Sequence, residues 1–292
     1  MSVTASMVKE LRERTGAGMM ECKKALVETS GDMDAAAEAL RTSGQAKADK
    51  KAGRVAADGL VVVYRDGSKA VIAEVNSETD FVAKDENFVG FAEAVVKADL
   101  SSGVSDVAEL AAVEIDGGIS IEQARTELIT KVGENISVRR FTIVDNAGPT
   151  GSYTHGARIA SIVALEGGDE ELARDIAMHV AAINPSSIDE SGVSADELER
   201  EKRIFSEQAA ESGKPAEIIE KMISGRIAKY LKEITLVGQP FVKDDKITVG
   251  ALLKSKGASV KSFVRFEVGE GIEKKVENFA DEVMKQIEDA KK

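Results

Sequence analysis

Twice in this chain an amphipathic helical pattern stops at a glycine and gives way to a strand pattern carrying Arg-Phe. The first copy is residues 122–132, Gly133 and residues 136–141 with Arg140-Phe141; the second is residues 249–254, Gly257 and residues 262–268 with Arg265-Phe266. What precedes each copy is alike too. Residues 60–64, the turn Arg65-Asp66-Gly67-Ser68 and residues 69–75 alternate as a β-hairpin, and a helix follows from Phe88 to about residue 98. Residues 142–144, a glycine-containing turn and residues 157–165 read as a second hairpin, with a helix from Glu170 to about residue 182. The expectation is therefore an α+β protein whose core is two related subdomains, each a three-stranded antiparallel sheet with helices.

Other segments surround this core. Residues 1–43 read as a three-helix domain: Thr4 or Ser6 caps a helix with Val8 and Leu11, and Thr15-Gly16-Ala17-Gly18 breaks it. Met19, Cys22, Ala25, Leu26 and Thr29 then form a second stripe, and Ala36, Ala39 and Leu40 a third. The Lys/Ala/Gly-rich residues 44–58 read as a linker or loosely held helix. The core halves are expected at 59–141 and 142–269, the second with an insertion at about 186–235. In that insertion Leu198, Phe205 and Ala209 oppose Ile219, Met222, Ile223, Ile227, Tyr230 and Ile234 across the break Ser212-Gly213-Lys214-Pro215. That pattern is an antiparallel helical hairpin, serving as local coiled-coil packing or as a contact surface. Residues 270–292 carry a last amphipathic helix, from Glu273 to about residue 288.

The halves differ most where the first has the acidic connection Asn76-Ser77-Glu78-Thr79-Asp80-Phe81-Val82-Ala83-Lys84-Asp85-Glu86-Asn87; the second needs only Glu166-Gly167-Gly168-Asp169. Aromatics make up only 4% of the sequence, so a Phe among carboxylates asks for an explanation. Either Phe81 folds back as a lid on the core or it meets a partner.

Intrinsic catalytic equipment is thin. No G-x-x-x-x-G-K-[ST] loop occurs, and Gly16-Ala17-Gly18 and Gly269-Glu270-Gly271 lack the third glycine of a dinucleotide turn. Two histidines and one cysteine make zinc ligation or a Cys-His nucleophile pair poorly supported. His155 reads as lying on a turn, and His179, on an apolar helix face, as a packed core residue. No carboxylate sits in an evident apolar pocket. Net charge is −12, and the basic run Lys47, Lys50, Lys51 and Arg54 lacks interleaved aromatics, so direct nucleic-acid binding is not expected. No apolar run reaches the roughly 20 residues that span a bilayer. With a single cysteine and no signal pattern, a cytoplasmic protein is the expectation.

Residues 8–26, Val-Lys-Glu-Leu-Arg-Glu-Arg-Thr-Gly-Ala-Gly-Met-Met-Glu-Cys-Lys-Lys-Ala-Leu, resemble the opening of the bacterial elongation factor Ts family. Further matching blocks are Thr79-Asp80-Phe81-Val82-Ala83-Lys84, Tyr153-Thr154-His155-Gly156-Ala157-Arg158, Gly238-Gln239-Pro240-Phe241-Val242 and Arg265-Phe266-Glu267-Val268-Gly269-Glu270-Gly271. They fall in family order along essentially the whole chain. The resemblance implies a guanine-nucleotide exchange factor for the translational GTPase elongation factor Tu, acting through an interface rather than as an enzyme. It implies a ubiquitin-associated (UBA)-like fold for the N-terminal unit. It also implies that Thr79, Asp80, Phe81 and Val82 enter the partner beside its magnesium and phosphate site. Met19, Met20, Lys23, Val132, His155 and Val242 match further contact positions. The implied partner is elongation factor Tu, GDP-bound or nucleotide-free, with no cofactor or metal of the chain's own. A homodimer or two-to-two complex through the core or the helical hairpin stays open. The rival classes are a small-molecule enzyme of α+β fold and a ubiquitin-like adaptor built on the N-terminal helices.

Overall fold

The computed structural model describes residues 3–210 and 215–273. Three helices come first, α1 (Ala5–Thr15), α2 (Met19–Glu28) and α3 (Met33–Lys51). Thr4 caps α1 and Asp32 caps α3 by accepting from backbone N–H groups of the first turn. Val8, Leu11, Cys22, Ala25, Leu26 and Ala36 form the small core between them.

The hairpin β1 (Asp58–Asp66) and β2 (Lys69–Ser77) follows, then α4 (Asp80–Ala83), α5 (Glu86–Ser102) and α6 (Val107–Leu110). A two-residue ribbon, β3 (Glu114–Ile115) with β4 (Ile119–Ser120), leads into α7 (Ile121–Val132) and β5 (Ser137–Asp145). The second set is β6 (Thr150–His155), β7 (Ile159–Glu166) and α8 (Glu170–Ile183). Helices α9 (Ala195–Ala210) and α10 (Ala216–Ile234) come next. The small ribbon β8 (Pro240–Phe241) and β9 (Asp244–Thr248), then α11 (Val249–Ser255) and β10 (Ser259–Glu267), complete it.

The two three-stranded sheets have the orders β1-β2-β5 and β6-β7-β10, and every pairing in them is antiparallel. In each, the closing strand pairs with the second strand of the hairpin. Alternation along the strands builds a layered core. Val61, Ala70, Ile72 and Val144 of one sheet meet Ala160, Ile162, Ala164 and Phe266 of the other. The opposite face of the first sheet packs on α5 and α7 through Leu60, Val75, Phe88, Val95 and Ile129. The opposite face of the second sheet packs on α8 and α11 through Val163, Leu165, Ile176, Val180 and Leu253.

Four expectations are corrected. Residues 142–144 do not open the second hairpin: they finish β5, with Val144 turned to the intersheet core and Ile143 to the α5 side. The expected division between 141 and 142 therefore falls inside a strand. The outer strand of the second hairpin is instead Thr150–His155, whose polar sequence suits a sheet edge with one solvated face. The segment 44–58 is not a tether throughout, because α3 continues to Lys51 and packs on α7. Ala48 is buried there, and Gly44 sits so close that a Cβ would stand 3.1 Å from Thr130 Oγ1. Finally, the acidic connection 76–87 is hardly a loop: β2 runs to Ser77, α4 occupies its centre and α5 begins at Glu86.

Helices α9 and α10 lie against each other with Phe205 edge-on to Tyr230, whose hydroxyl donates to Glu197 at 2.7 Å. Most of the break expected between them, residues 212–214, and the expected C-terminal helix beyond Glu273 lie outside the described residues.

Candidate functional site

The connection between β2 and α5 is held from several directions. Thr79 is extended and caps α4, its hydroxyl accepting from the Val82 N–H. A helix of four residues cannot sustain itself, so its stability has to come from anchors. Val82 and Ala83 supply one, buried in the core with Phe88, Phe91 and Ile129. The turn after α7 supplies the other. Gly133 ends α7 in the left-handed region (φ 84°), and Glu134 then accepts from Thr79 N at 3.0 Å and from Thr79 Oγ1 at 2.7 Å. The Asn135 N–H donates to Glu78 at 2.6 Å, while Asn135 Nδ2 donates to the Arg54 carbonyl at 2.8 Å. Ser77 Oγ closes the corner by donating to the Thr79 carbonyl.

From this anchored corner Phe81 projects with 81% of its surface exposed. It is not a lid on the core; Val82 and Ala83 fill that role. Asp80 beside it accepts from Lys84 Nζ at 2.7 Å, and this pairing holds its carboxyl below the usual range. Arg158, on the β6–β7 turn, adds to the same lowering.

The other expected site residues divide into groups. Val132 is half-buried at the end of α7, beside the Glu134 corner. His155 is exposed as the last residue of β6, rather than on a turn, and Tyr153 Oη lies 3.2 Å from its Nδ1. The β6–β7 turn after His155 lies against β1, where the Ala157 carbonyl accepts from Val61 N–H and Arg158 pairs with Asp58. Met19, Met20 and Lys23 lie on the outward face of α2, with the two methionines 59% and 74% exposed. Val242 belongs to the second half, 42% exposed, and its N–H donates to Nδ1 of buried His179 at 3.1 Å. His179 Nε2 lies 2.9 Å from Gln239 Oε1, so a neutral imidazole fits both bonds; burial lowers its pKa, against the Gln239 bond.

Two buried carboxylates escape a reading of the sequence. Asp99, on the inner face of α5, has no hydrogen-bond partner on either oxygen, and burial pushes it up to about 7. Glu74 is fully buried on β2. Burial alone would raise it, but bonds from the Gly269 N–H, Asn76, Arg140 and Arg139 outweigh that and hold it below the ordinary range. Neither lies beside a nucleophile or metal cluster. Among the described residues no group of three or more His, Cys, Asp or Glu is arranged to hold a metal ion, and no described helix is long and apolar enough to cross a membrane. A cleft of about 600 Å³ opens between the N-terminal helices and α7, lined by Arg14, Arg41, Gln45, Gln123 and Thr126 among others. Neither α4 nor the Glu134 corner lines it. The arrangement at Phe81 is suited to contact, since its one large apolar side chain is offered outward on a braced turn.

The sequence model of the family described as Elongation factor TS matches residues 78–270. Proteins named Elongation factor Ts from Thioalkalivibrio sulfidiphilus, Methylococcus capsulatus and Alkalilimnicola ehrlichii are 63%, 60% and 57% identical to this chain. The matches cover 99%, 98% and 98% of this chain and 100%, 99% and 99% of those proteins.

Proposed function

Because the chain belongs to the elongation factor Ts family, we propose that it is a guanine-nucleotide exchange factor for elongation factor Tu, opening the partner's nucleotide site with Thr79, Asp80, Phe81 and Val82. The observation that carries this reading is the exposed Phe81 on a turn braced at both ends. GDP on such a GTPase is held by backbone amides, a Lys and a Mg²⁺ that demands near-octahedral oxygen ligands. A Phe wedge beside that site needs to shift the partner's elements only slightly to spoil the metal geometry. Asp80 brings a carboxylate that competes for the polar groups around the metal. Binding of factor and nucleotide are then reciprocally linked, and a coupling of about 3 kcal/mol corresponds to roughly 150-fold in affinity. The factor needs no nucleotide site or catalytic group of its own.

Within this reading residues 1–43 form a UBA-like unit whose Met19, Met20 and Lys23 touch the partner. The duplicated core, one half built on β1, β2 and β5 and the other on β6, β7 and β10, contributes Val132, His155 and Val242, and the α9–α10 hairpin projects from its second half. The test is release of labelled GDP from elongation factor Tu. The intact chain should accelerate it, and Asp80→Ala with Phe81→Ala should lose most of the acceleration with an unchanged circular dichroism spectrum. An unaccelerated release with the intact chain would remove the function; normal exchange by the double variant would remove the role of the turn.

A further inference from the structure

Exposure of Phe81 raises the question of what keeps it pointing outward. Among the described residues nothing apolar covers the ring, and α4 is a single turn. Its direction is fixed by Val82 and Ala83 below and by Thr79 at its start. Thr79 in turn is gripped by one side chain from 55 residues further along, the Glu134 carboxylate, which takes both the Thr79 N–H and the Thr79 hydroxyl. With its proton committed to Glu134, the hydroxyl oxygen presents a lone pair to Val82 N–H. The cap and the bracket are therefore one hydrogen-bonded chain, running Glu134 to Thr79 to Val82, in which each link orients the next.

We infer that Glu134 is a positioning residue for nucleotide exchange: it preorganises the Thr79–Phe81 turn so that Phe81 enters the partner without first being ordered. The inference rests on the proposed role of Phe81. Glu134 itself is half-buried just after α7, and each of its carboxylate oxygens accepts a bond from Thr79. Its neighbours reinforce the assignment. Asn135 ties Glu78 to the carbonyl of Arg54, so the residues before and after the bracket are fixed to the segment that follows α3 as well. A binding element held in its bound form avoids an ordering cost at the moment of contact, so removing the brace lowers the rate of the step in which the element acts.

The measurement is GDP release from elongation factor Tu over a range of factor concentration, with wild type, Glu134→Ala, Glu134→Gln, Thr79→Val and Phe81→Ala compared. On the proposed reading Met19, Met20, Lys23, His155 and Val242 also touch the partner, so Glu134→Ala should act on the rate more than on the affinity and lower the rate at saturating factor about tenfold or more, the effect of losing a charge-assisted hydrogen bond or two. The half-saturating concentration should move less than twofold. Glu134→Gln should recover most of the rate, because its carbonyl oxygen can take the Thr79 N–H while its amide donates to the Thr79 hydroxyl. Thr79→Val keeps the N–H bond but loses both the hydroxyl's bond to Glu134 and its cap on the Val82 N–H, so it should be slowed at least as much as Glu134→Ala; it also serves as the readout if Glu134→Ala fails to fold. A merely structural Glu134 would lower the melting temperature and leave the saturating rate intact. That result, with Phe81→Ala defective, overturns the inference and spares the role of Phe81. Normal exchange by Phe81→Ala overturns both.

Discussion

At the residue scale, Phe81 was legible and the groups that brace it were not. An aromatic residue in an acidic connection announces itself in the sequence, but Glu134 is an ordinary surface-type residue until the fold sets it against Thr79. The same holds for Asp99. Position 99 shares a helical face with Val95 and Val96, but the expected helix stops at about residue 98, whereas α5 runs on to Ser102 and carries Asp99 inward. Its consequence is measurable. With its folded pKa raised to about 7 by burial, Asp99 binds a proton more tightly in the native state than in the unfolded chain. The stability it contributes is complete below the ordinary carboxylate value near 4, is lost progressively as pH rises toward 7, and is flat above. Asp99→Asn removes that loss. Thermal unfolding should show the variant more stable than wild type at pH 8, on the order of 4 kcal/mol, with the difference vanishing below pH 4. Equal offsets at both pH values would mean that the carboxyl is solvated in the native protein.

At the scale of elements, helix patterns carried further than strand patterns. The helices after each hairpin and before each Arg-Phe strand appear close to their expected places, since caps such as Asp85, Ser120 and Asp169 mark their starts. The β6 strand was missed because a polar edge strand of Gly, Ser, Tyr, Thr and His looks like a turn when its pairing partner is unknown. The extension of α3 stays undecided in the sequence for a different reason. Ala and Lys favour helix but also fill linkers, and only the docking of Ala48 and Gly44 on α7 decides between them. Trypsin distinguishes the two states directly, since Lys47, Lys50 and Lys51 lie in this stretch. Under limited digestion the native protein should resist cleavage at these lysines. Ala48→Asp, which buries a charge against α7, should open all three sites and raise their cutting rate at least tenfold. Rapid cutting of the native chain there would show that α3 ends before the contact.

At the scale of the whole molecule, the repeat in the sequence becomes two sheets that share one core. Ile72 and Ile162 are both fully buried in the layer where the sheets meet. Glu74 closes one end of that layer. It joins Arg139 and Arg140 of its own sheet to the Gly269 N–H after the closing strand of the other, and the Arg140 guanidinium lies 4.3 Å from the centre of the Phe266 ring. The Arg-Phe pairs that first marked the duplication therefore meet across it: Arg140 from one copy stacks on Phe266 from the other. A shared core makes the halves thermodynamically inseparable, which a repeat of independent domains would not be. Ile162→Ala, placed in β7 of the second sheet, should destabilise by about 3 kcal/mol through lost burial and the cavity left behind. Hydrogen exchange reports where that loss is felt. If the halves unfold together, amides of β2 and β7 should lose protection equally, by roughly 100-fold. If β7 alone loses protection while β2 keeps it, the halves open separately. The braced turn at Phe81 would then depend on the first sheet alone, not on the assembled pair.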